Sequence, residues 1–310
     1  MIEFHHLQHF LAVLDTGNFS AAARRLHISQ PALTKSIQRM EELLGFPLFD
    51  RTPKPIPTRF GKLMGQHARI VLAGVNDLNQ EVALFQGLES GSLTVGAGPL
   101  MADAIMGPAI GLLMMRFPKF HVRLHVDNYS RFPAMLRSRE IDFFVADITE
   151  LRNAEDMDVH VIQSQDIIWF CRPGHPLLKK LPVPMKEFLK YPLAAPEMPH
   201  WMIHQLTMAS SEKNTPFKVA VVCSHYSTIK EIVAQSDCVS GAIDPKISAE
   251  IKSGRLAGVK VTGPKLKSNP GIVTLKDRVL SPAAHVLIDE IKQYVTISNK
   301  PPKPRFSGQK

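Results

Sequence analysis

The chain has 310 residues, 45% of them hydrophobic and 21% charged, which is too long for one small domain and enough for two or three with ordinary buried cores. A formal net charge of +9 suits a polyanionic partner, and several of the cations lie early in the chain, at Arg24, Arg25, Lys35, Arg39, Arg51, Lys54, Arg59, Lys62 and Arg69. No stretch reaches the ~18 uninterrupted apolar residues of a membrane span, no secretion signal is evident, and Cys171, Cys223 and Cys238 are too few for a disulfide framework, so the expectation is a cytoplasmic protein with no membrane partner.

Residues 3–16 carry Leu7, Phe10, Leu11 and Leu14 at helical spacing, which predicts a first helix ended by Gly17. His5 and His9 are one turn apart but have no third ligand nearby, so they read as surface residues and no metal is assigned. Residues 18–46, NFSAAARRLHISQPALTKSIQRMEELLGF, encode two helices with a tight bend between them. Ser20 opens the first, and the small residues Ala21, Ala22 and Ala23 let its partner come close. Ser29 caps the second, whose first turn tolerates Pro31 because the missing N–H there has no intrahelical partner. Leu33, Ile37, Met40 and Leu44 form one apolar stripe. Gln30, Thr34 and Gln38 recur every four residues on the polar face, beside Lys35 and Arg39, which puts groups suited to base edges next to cations suited to phosphates.

The run NFSAAARRLHISQPALTKSIQRMEELLGFPLFDR resembles the winged helix-turn-helix signature of the LysR-type transcriptional regulator family. The resemblance implies that Ser29, Gln30, Pro31, Thr34, Lys35 and Gln38 face the major groove of double-stranded operator DNA, and that Arg51 sits on the wing near a phosphate. The wing sequence TPKPIPTRFG departs from the family pattern in its three prolines and in Arg59 and Phe60.

Thr58 can cap a long helix running to about Leu88, in which Phe60, Met64, Val71, Val75, Leu78, Val82 and Phe85 fall close to a seven-residue repeat completed by His67. About 30 helical residues span ~45 Å, more than a small domain needs, so a dimerisation helix is expected. Gly65 and Gly74 weaken its interior, a cost that partner packing would offset.

From Ser90 and Gly91 the pattern alternates: a strand SLTVGA, a helix over 101–116 interrupted by Pro108, a strand at 121–126, a helix at 130–139 and a strand at 141–147, the repeat of a parallel α/β sheet. Further strands follow around 160–172, then PGHPLL, the KEFLKYPLAAP segment, a helix from near Pro199, a strand KVAVVC, a helix from Ser227 to Gln235, and VSGAIDP leading into another helix. GIVTLK and a closing helix with Ala284, Leu287, Ile288 and Ile291 inward complete the pattern. Extended over residues 2–295, the resemblance implies an α/β chain with an N-terminal all-α winged helix-turn-helix and a C-terminal two-subdomain α/β effector domain similar to periplasmic binding proteins. The divisions expected are 1–58 for the head, 59–89 for the linker helix, 90–298 for the effector domain, and a disordered tail at 299–310; within the effector domain, subdomain I takes 90–162 with 269–298 and subdomain II takes 163–268.

A small-molecule effector is expected at strand carboxyl ends. The nominated residues are Gly98, Pro99, Leu100 and Met101 after the first strand, Asn128 and Tyr129 after the second, and Pro196, Glu197, His200, Trp201, Ser224 and His225 from the second subdomain. Asp244 departs from the family pattern, which generally has an apolar residue before this proline, and fits a polar or cationic ligand or a solvated strand end. The resemblance also implies a homodimer or a homotetramer. Two alternatives stay open: a redox sensor using Cys223 and Cys238, or an enzyme using Cys223 and His225, two apart on one strand face. No P-loop, GxSxG, HExxH or paired CxxC motif occurs, and no cofactor and no catalytic residue is assigned.

Overall fold

A computed structural model of the chain describes residues 1–50, 54–85, 91–151, 154–210, 216–243, 245–276 and 278–298. It divides into two units, Met1–Leu88 with Arg137–Glu140, and Glu89–Leu136 with Ile141–Lys310.

In the first unit, helix α1 (Phe4–Thr16) ends where Gly17 takes φ +59°, a left-handed turn that favours glycine, and its N–H closes on Val13. Helix α2 (Phe19–Arg25) starts one residue earlier than the sequence suggested, because the Asn18 side chain rather than Ser20 caps it, accepting from the Ala21 N–H at 3.0 Å. His27 turns the chain at φ +56°, and helix α3 (Gln30–Leu44) begins on the Ser29 cap, whose hydroxyl accepts from Ala32 N–H at 3.3 Å. Leu33, Ile37 and Met40 are fully buried against Phe10, Val13, Ala22 and Ala23, so the apolar stripe is the inner face. The wing is a hairpin of β1 (Phe49–Asp50) and β2 (Ile56–Pro57), paired antiparallel. Arg51 lies outside the described residues.

Helix α4 (Arg59–Phe85) starts on Thr58, whose hydroxyl accepts from Gly61 N–H at 2.9 Å and donates to the Pro47 carbonyl at 2.8 Å. The expected single seam divides. Phe60, Met64, Ala68 and Leu72 join the head's own core and His67 is exposed, while Val71, Leu78 and Val82 stay in solvent. Gly65 likewise serves the head rather than a partner chain, since a Cβ there would sit 2.7 Å from Leu14 Cδ2, whereas Gly74 faces open space. The expected continuation of the helix to Leu88 falls on residues outside those described.

The second unit begins with β3 (Ser92–Ala97), which feeds one helical run made of α5 (Pro99–Met101), a π turn at Ala102–Met106 and α6 (Gly107–Arg116). The widened turn ends just before Pro108, whose missing N–H is absorbed in the first turn of α6. Then come β4 (His121–Val126), a 3-10 turn at Tyr129–Arg131, α7 (Phe132–Arg137), β5 (Phe143–Asp147) and β6 (Met157–Val161). The chain crosses to the second half through β7 (Gln165–Asp166) into β8 (Ile168–Cys171), a 3-10 turn at Pro176–Lys180, β9 (Val183–Pro184), α8 (Met185–Phe188), β10 (Ala194–Ala195) and α9 (His200–Ala209). After β11 (Val221–Val222), α10 (Tyr226–Gln235), β12 (Ser240–Ala242), α11 (Pro245–Lys252), β13 (Ala257–Gly258) and β14 (Val261–Thr262), it returns through β15 (Lys267–Ser268) to β16 (Pro270–Leu275) and α12 (Pro282–Ser298).

The main sheet has the order β4-β3-β5-β16-β6. Its first three strands are parallel, as the alternating pattern suggested, but β16 runs antiparallel to both neighbours because it returns directly from the second half. Both faces are covered. Leu93, Val95 and Ile272 pack with α6 and α12, where Ala284, Leu287, Ile288 and Ile291 are buried as expected; Phe144, Ala146 and Val273 pack with Phe132 and Leu136 of α7. The second half holds an antiparallel trio β12-β8-β13 and short parallel pairs β10/β11 and β9/β14. KVAVVC shrinks to the two strand residues of β11, because among the described residues it pairs with the two-residue β10 alone. Where the chain crosses and recrosses, β7 and β15 pair antiparallel, Asp166 with Lys267 and Gln165 with Ser268. Asp244 and the expected tail at 299–310 fall outside the described residues.

Candidate functional site

Two sites emerge, one in each unit. In the head, Ser29, Gln30 and Pro31 form the exposed N-terminal turn of α3, Lys35 and Gln38 are exposed further along, and Thr34 is half-buried. The Gln30 side-chain carbonyl accepts from the Ser20 hydroxyl at 3.2 Å, which leaves its NH₂ facing out as a donor. Lys35 makes no ion pair among the described residues, so its charge is available to a phosphate. Arg39, one turn on, is paired with Glu42 at 3.0 Å, and Arg25 and Arg69 both approach Asp15. Behind this face, His9 Nδ1 lies 2.7 Å from the Ser36 hydroxyl, and His6 Nδ1 accepts from Glu3 N–H at 3.1 Å. Burial, helped by the neighbouring His5, lowers the pKa of both His6 and His9, so both favour the neutral form. The expectation of surface histidines therefore holds for His5 but not for His9, which is half-buried by this contact.

In the second unit, a small cavity of about 70 Å³ opens between the two halves at the carboxyl ends of β3 and β5. Gly98 forms its floor: the Gly98 N–H donates to Val145 at 3.0 Å, and its carbonyl receives Ala102 N–H at 2.8 Å, so the strand passes into helix with no slack. Gly98, Pro99, Leu100 and Met101 line the cavity, as do Tyr129 and, from the second half, Pro196 and Glu197. The other nominated residues do not line it. Asn128 spends its side chain capping the 3-10 turn, accepting from Ser130 N–H at 2.9 Å. His200 is exposed on the first turn of α9, and the Trp201 ring packs into the hydrophobic cluster of the second half. Ser224 and His225 are exposed at the entry to α10.

The rest of the lining comprises Ala146, Asp147, Met198, Pro199, Met202 and Ser268. Ala146 and Asp147 end a strand of the parallel set, so the strand-end rule that selected Gly98 reaches them too. Met202 lies one helical turn beyond Pro199. Ser268 arrives from 121 positions after Asp147 in the chain, and no local signal marks it.

Carboxylates dominate the electrostatics. Asp147 accepts from Thr149 N–H at 3.0 Å, Asn269 N–H at 2.9 Å and the Ser268 hydroxyl at 3.2 Å. Glu150 reaches across the halves, taking the Tyr129 hydroxyl at 2.5 Å on one oxygen and Trp201 N–H at 3.1 Å on the other. Burial first, then the hydrogen bond and charge of Glu150, push the Tyr129 pKa up, so the phenol remains a donor. Cys171, Cys223 and Cys238 are free thiols; burial raises the Cys171 pKa to about 11, and Cys238 is buried. Cys223 and His225 are not on one strand face: β11 stops at Val222, and the Cys223 sulfur points at the His225 backbone carbonyl, 3.6 Å away.

The profile described as "Bacterial regulatory helix-turn-helix protein, lysR family" matches residues 4–62, and the "LysR substrate binding domain" matches residues 86–296. The SDS degradation transcriptional activation protein of Pseudomonas sp. (strain ATCC 19151) is 34% identical over 292 residues, covering 93% of this chain and 94% of that protein. The HTH-type transcriptional regulator GbpR of Azospirillum brasilense is 28% identical over 305 residues, covering 94% and 86%. Among solved structures, a full-length OxyR variant from Pseudomonas aeruginosa superposes with a TM-score of 0.67 at 20% identity, covering 94% of this chain and 95% of that one. Full-length CbnR complexed with its target DNA superposes with a TM-score of 0.66 at 19% identity, covering 94% and 99%. These two likenesses concern the fold alone.

Proposed function

The chain belongs to the LysR family of DNA-binding transcriptional regulators, and from that premise we propose that α3 reads base edges in the major groove while the cavity at Gly98 holds the effector. The relatives are transcriptional regulators, not enzymes. In this reading 1–58 is the reader head, 59–89 the linker and 90–298 the effector domain. Val71, Leu78 and Val82 of α4 meet a second copy of the chain, giving a homodimer or, by pairing of dimers, a homotetramer. No helix among the described residues is long and apolar enough to cross a membrane, and a DNA reader belongs in the cytoplasm with its operator.

One observation carries the DNA reading: α3 buries Leu33, Ile37 and Met40 completely and turns Gln30, Lys35 and Gln38 to solvent, so its polar face is rigidly presented. Gln30 and Gln38 read bases, and Lys35, with Arg51 on the wing, contacts phosphates. The buried position of Cys238 argues against the redox alternative. Fluorescence anisotropy on operator and random duplexes tests the assignment. Gln38→Ala should cost about 1–3 kcal/mol on the operator and little on random DNA, whereas Lys35→Ala should weaken both and reduce the salt slope by about 1. Equal losses for Gln38→Ala on both duplexes would remove α3 from base readout.

A further inference from the structure

The cavity's chemistry speaks to the class of effector, an inference that rests on reading the cavity as the effector site. We propose that the effector is an apolar molecule without negative charge, whose polar end is a hydrogen-bond donor directed at Glu197, as in an alcohol.

The charged side chains on the wall are Asp147 and Glu197, and no Lys, Arg or His lines the cavity among the described residues. An anion brought there would give up its water and face the like charges of Asp147 and Glu197, with no lining cation among the described residues to offset them. Helix N-termini are the usual remedy in α/β domains, because their free N–H groups face the ligand. At α9 that remedy is already taken: Trp201 N–H is bound at 3.1 Å by the protein's own Glu150, whose second oxygen holds the Tyr129 hydroxyl. Glu150, which is not itself part of the lining, thus already occupies the N–H that α9 would otherwise offer an anion.

The two lining acids differ in what they can still do. Asp147 is engaged by three donors from the main chain and Ser268. Glu197 is exposed and makes no hydrogen bond or ion pair among the described residues, so it is the acceptor left for a ligand. The remaining wall is mostly hydrocarbon and thioether, from Leu100, Met101, Ala146, Met198 and Met202, and the two hydroxyls on it, Tyr129 and Ser268, already donate to Glu150 and Asp147. Three methionines make that wall adaptable in shape, which suits an aliphatic body better than a rigid array of polar groups.

A matched pair of probes separates charge from shape: cyclohexylmethanol and cyclohexanecarboxylate, titrated calorimetrically at neutral pH into the full-length protein. The alcohol should bind at least ~10-fold more tightly, and Glu197→Gln should narrow that ratio several-fold, since it removes both the repulsion and the best acceptor. Gly98→Trp should abolish alcohol binding; Gly98 has φ −60° and an added Cβ would lie 4.0 Å from Ala146 Cβ, so the backbone accepts a side chain there. Met202→Trp closes the cavity from the opposite wall and replaces that variant if it does not fold. A carboxylate that binds as well as the alcohol overturns the charge assignment, and an alcohol that fails to bind overturns the apolar class. Alcohol binding that survives both tryptophan variants places the ligand elsewhere, which defeats the effector-site reading instead.

Discussion

Leu78 and Val82 are 58% and 45% exposed, one turn apart on a helix with Val71 at 49% on the same side. Replacing both with Glu should convert the protein to monomers at concentrations where the parent is dimeric. Fully burying such a side chain stabilises by about 1.5–3 kcal/mol, and with roughly half of each still exposed the interface can gain ~0.8–1.5 kcal/mol per residue. Two positions on each of two helices therefore contribute on the order of 3–6 kcal/mol, before the cost of burying carboxylates is added. At 1.4 kcal/mol per decade that is a dissociation constant raised by about 100-fold or more. Sedimentation velocity over a dilution series measures it directly. Leu63→Glu is the control: Leu63 is 49% exposed but lies roughly 80° around the helix from the stripe, so its variant should sediment nearly as the parent does. A double variant indistinguishable from the parent across the series would show that the Val71–Val82 stripe is not the interface.

Three further outcomes can be measured on the same material. Gly74 meets nothing within 4 Å while a Cβ at Gly61 would sit 2.1 Å from the Leu48 carbonyl oxygen, so Gly74→Ala should raise stability by about 0.5–1 kcal/mol and Gly61→Ala lower it by ~1–3 kcal/mol in urea melts. Because the folded head lowers the pKa of His6 and His9 from 6.5, their contribution is complete above 6.5 and is lost as pH falls through the lowered folded values. The urea midpoint should drop on acidification below 6.5, and His6→Gln, which keeps an acceptor for Glu3 N–H, should flatten that drop; an unchanged profile would show that His6 is not the responsible group. Glu150→Ala leaves Tyr129 and Trp201 N–H without their acceptor and should cost the second unit about 1 kcal/mol, read as a lower thermal midpoint, whereas an unaltered midpoint would mean the bridge is energetically idle.

What the sequence revealed follows from how local each signal is. The head was legible because its determinants are contiguous: Ser29 caps, Pro31 sits in the first turn, and Leu33, Ile37 and Met40 repeat at helical spacing, and each does in space what its spacing implies. Asn18 was missed as the α2 cap because Ser20, two residues on, is an equally good capping type. In α4 a single heptad reading joined two faces with different partners, since Met64 and Val71 are equivalent in the repeat but one packs on α1 and the other meets water. The cavity was half legible. Gly98 through Met101, Tyr129 and Glu197 line it where strand ends predict, but Ser268 comes from the recrossing strand, and its partner Asp147, the last residue of the strand expected at 141–147, was not among the nominated residues. Trp201 and His225 are near the right turns, yet their side chains lie outside the lining, and turn position alone does not fix side-chain direction.

The same long-range pairings explain how a ligand could be felt. The halves of the second unit are joined by two crossing segments, whose short ladder pairs Gln165 with Ser268 and Asp166 with Lys267 and is extended by Ile167 N–H to the Leu266 carbonyl at 3.3 Å. Beside it lies a polar knot: Asn269 bonds Ser164 of the other crossing segment at 2.6 Å and Thr149 at 3.1 Å, and its N–H meets Asp147. Asp147 and Ser268 belong both to this knot and to the cavity wall. Each such hydrogen bond has a net worth of about 0.5–1.5 kcal/mol, and an allosteric coupling is usually ~1–3 kcal/mol, so a shift in two of them is enough. A ligand that merely fills the cavity in both states shifts nothing; it must favour one arrangement through its differential affinity. On the proposed reading of the cavity as the effector site, Asp147 and Ser268 would supply that difference, because they belong both to its wall and to the hydrogen bonds between the crossing segments.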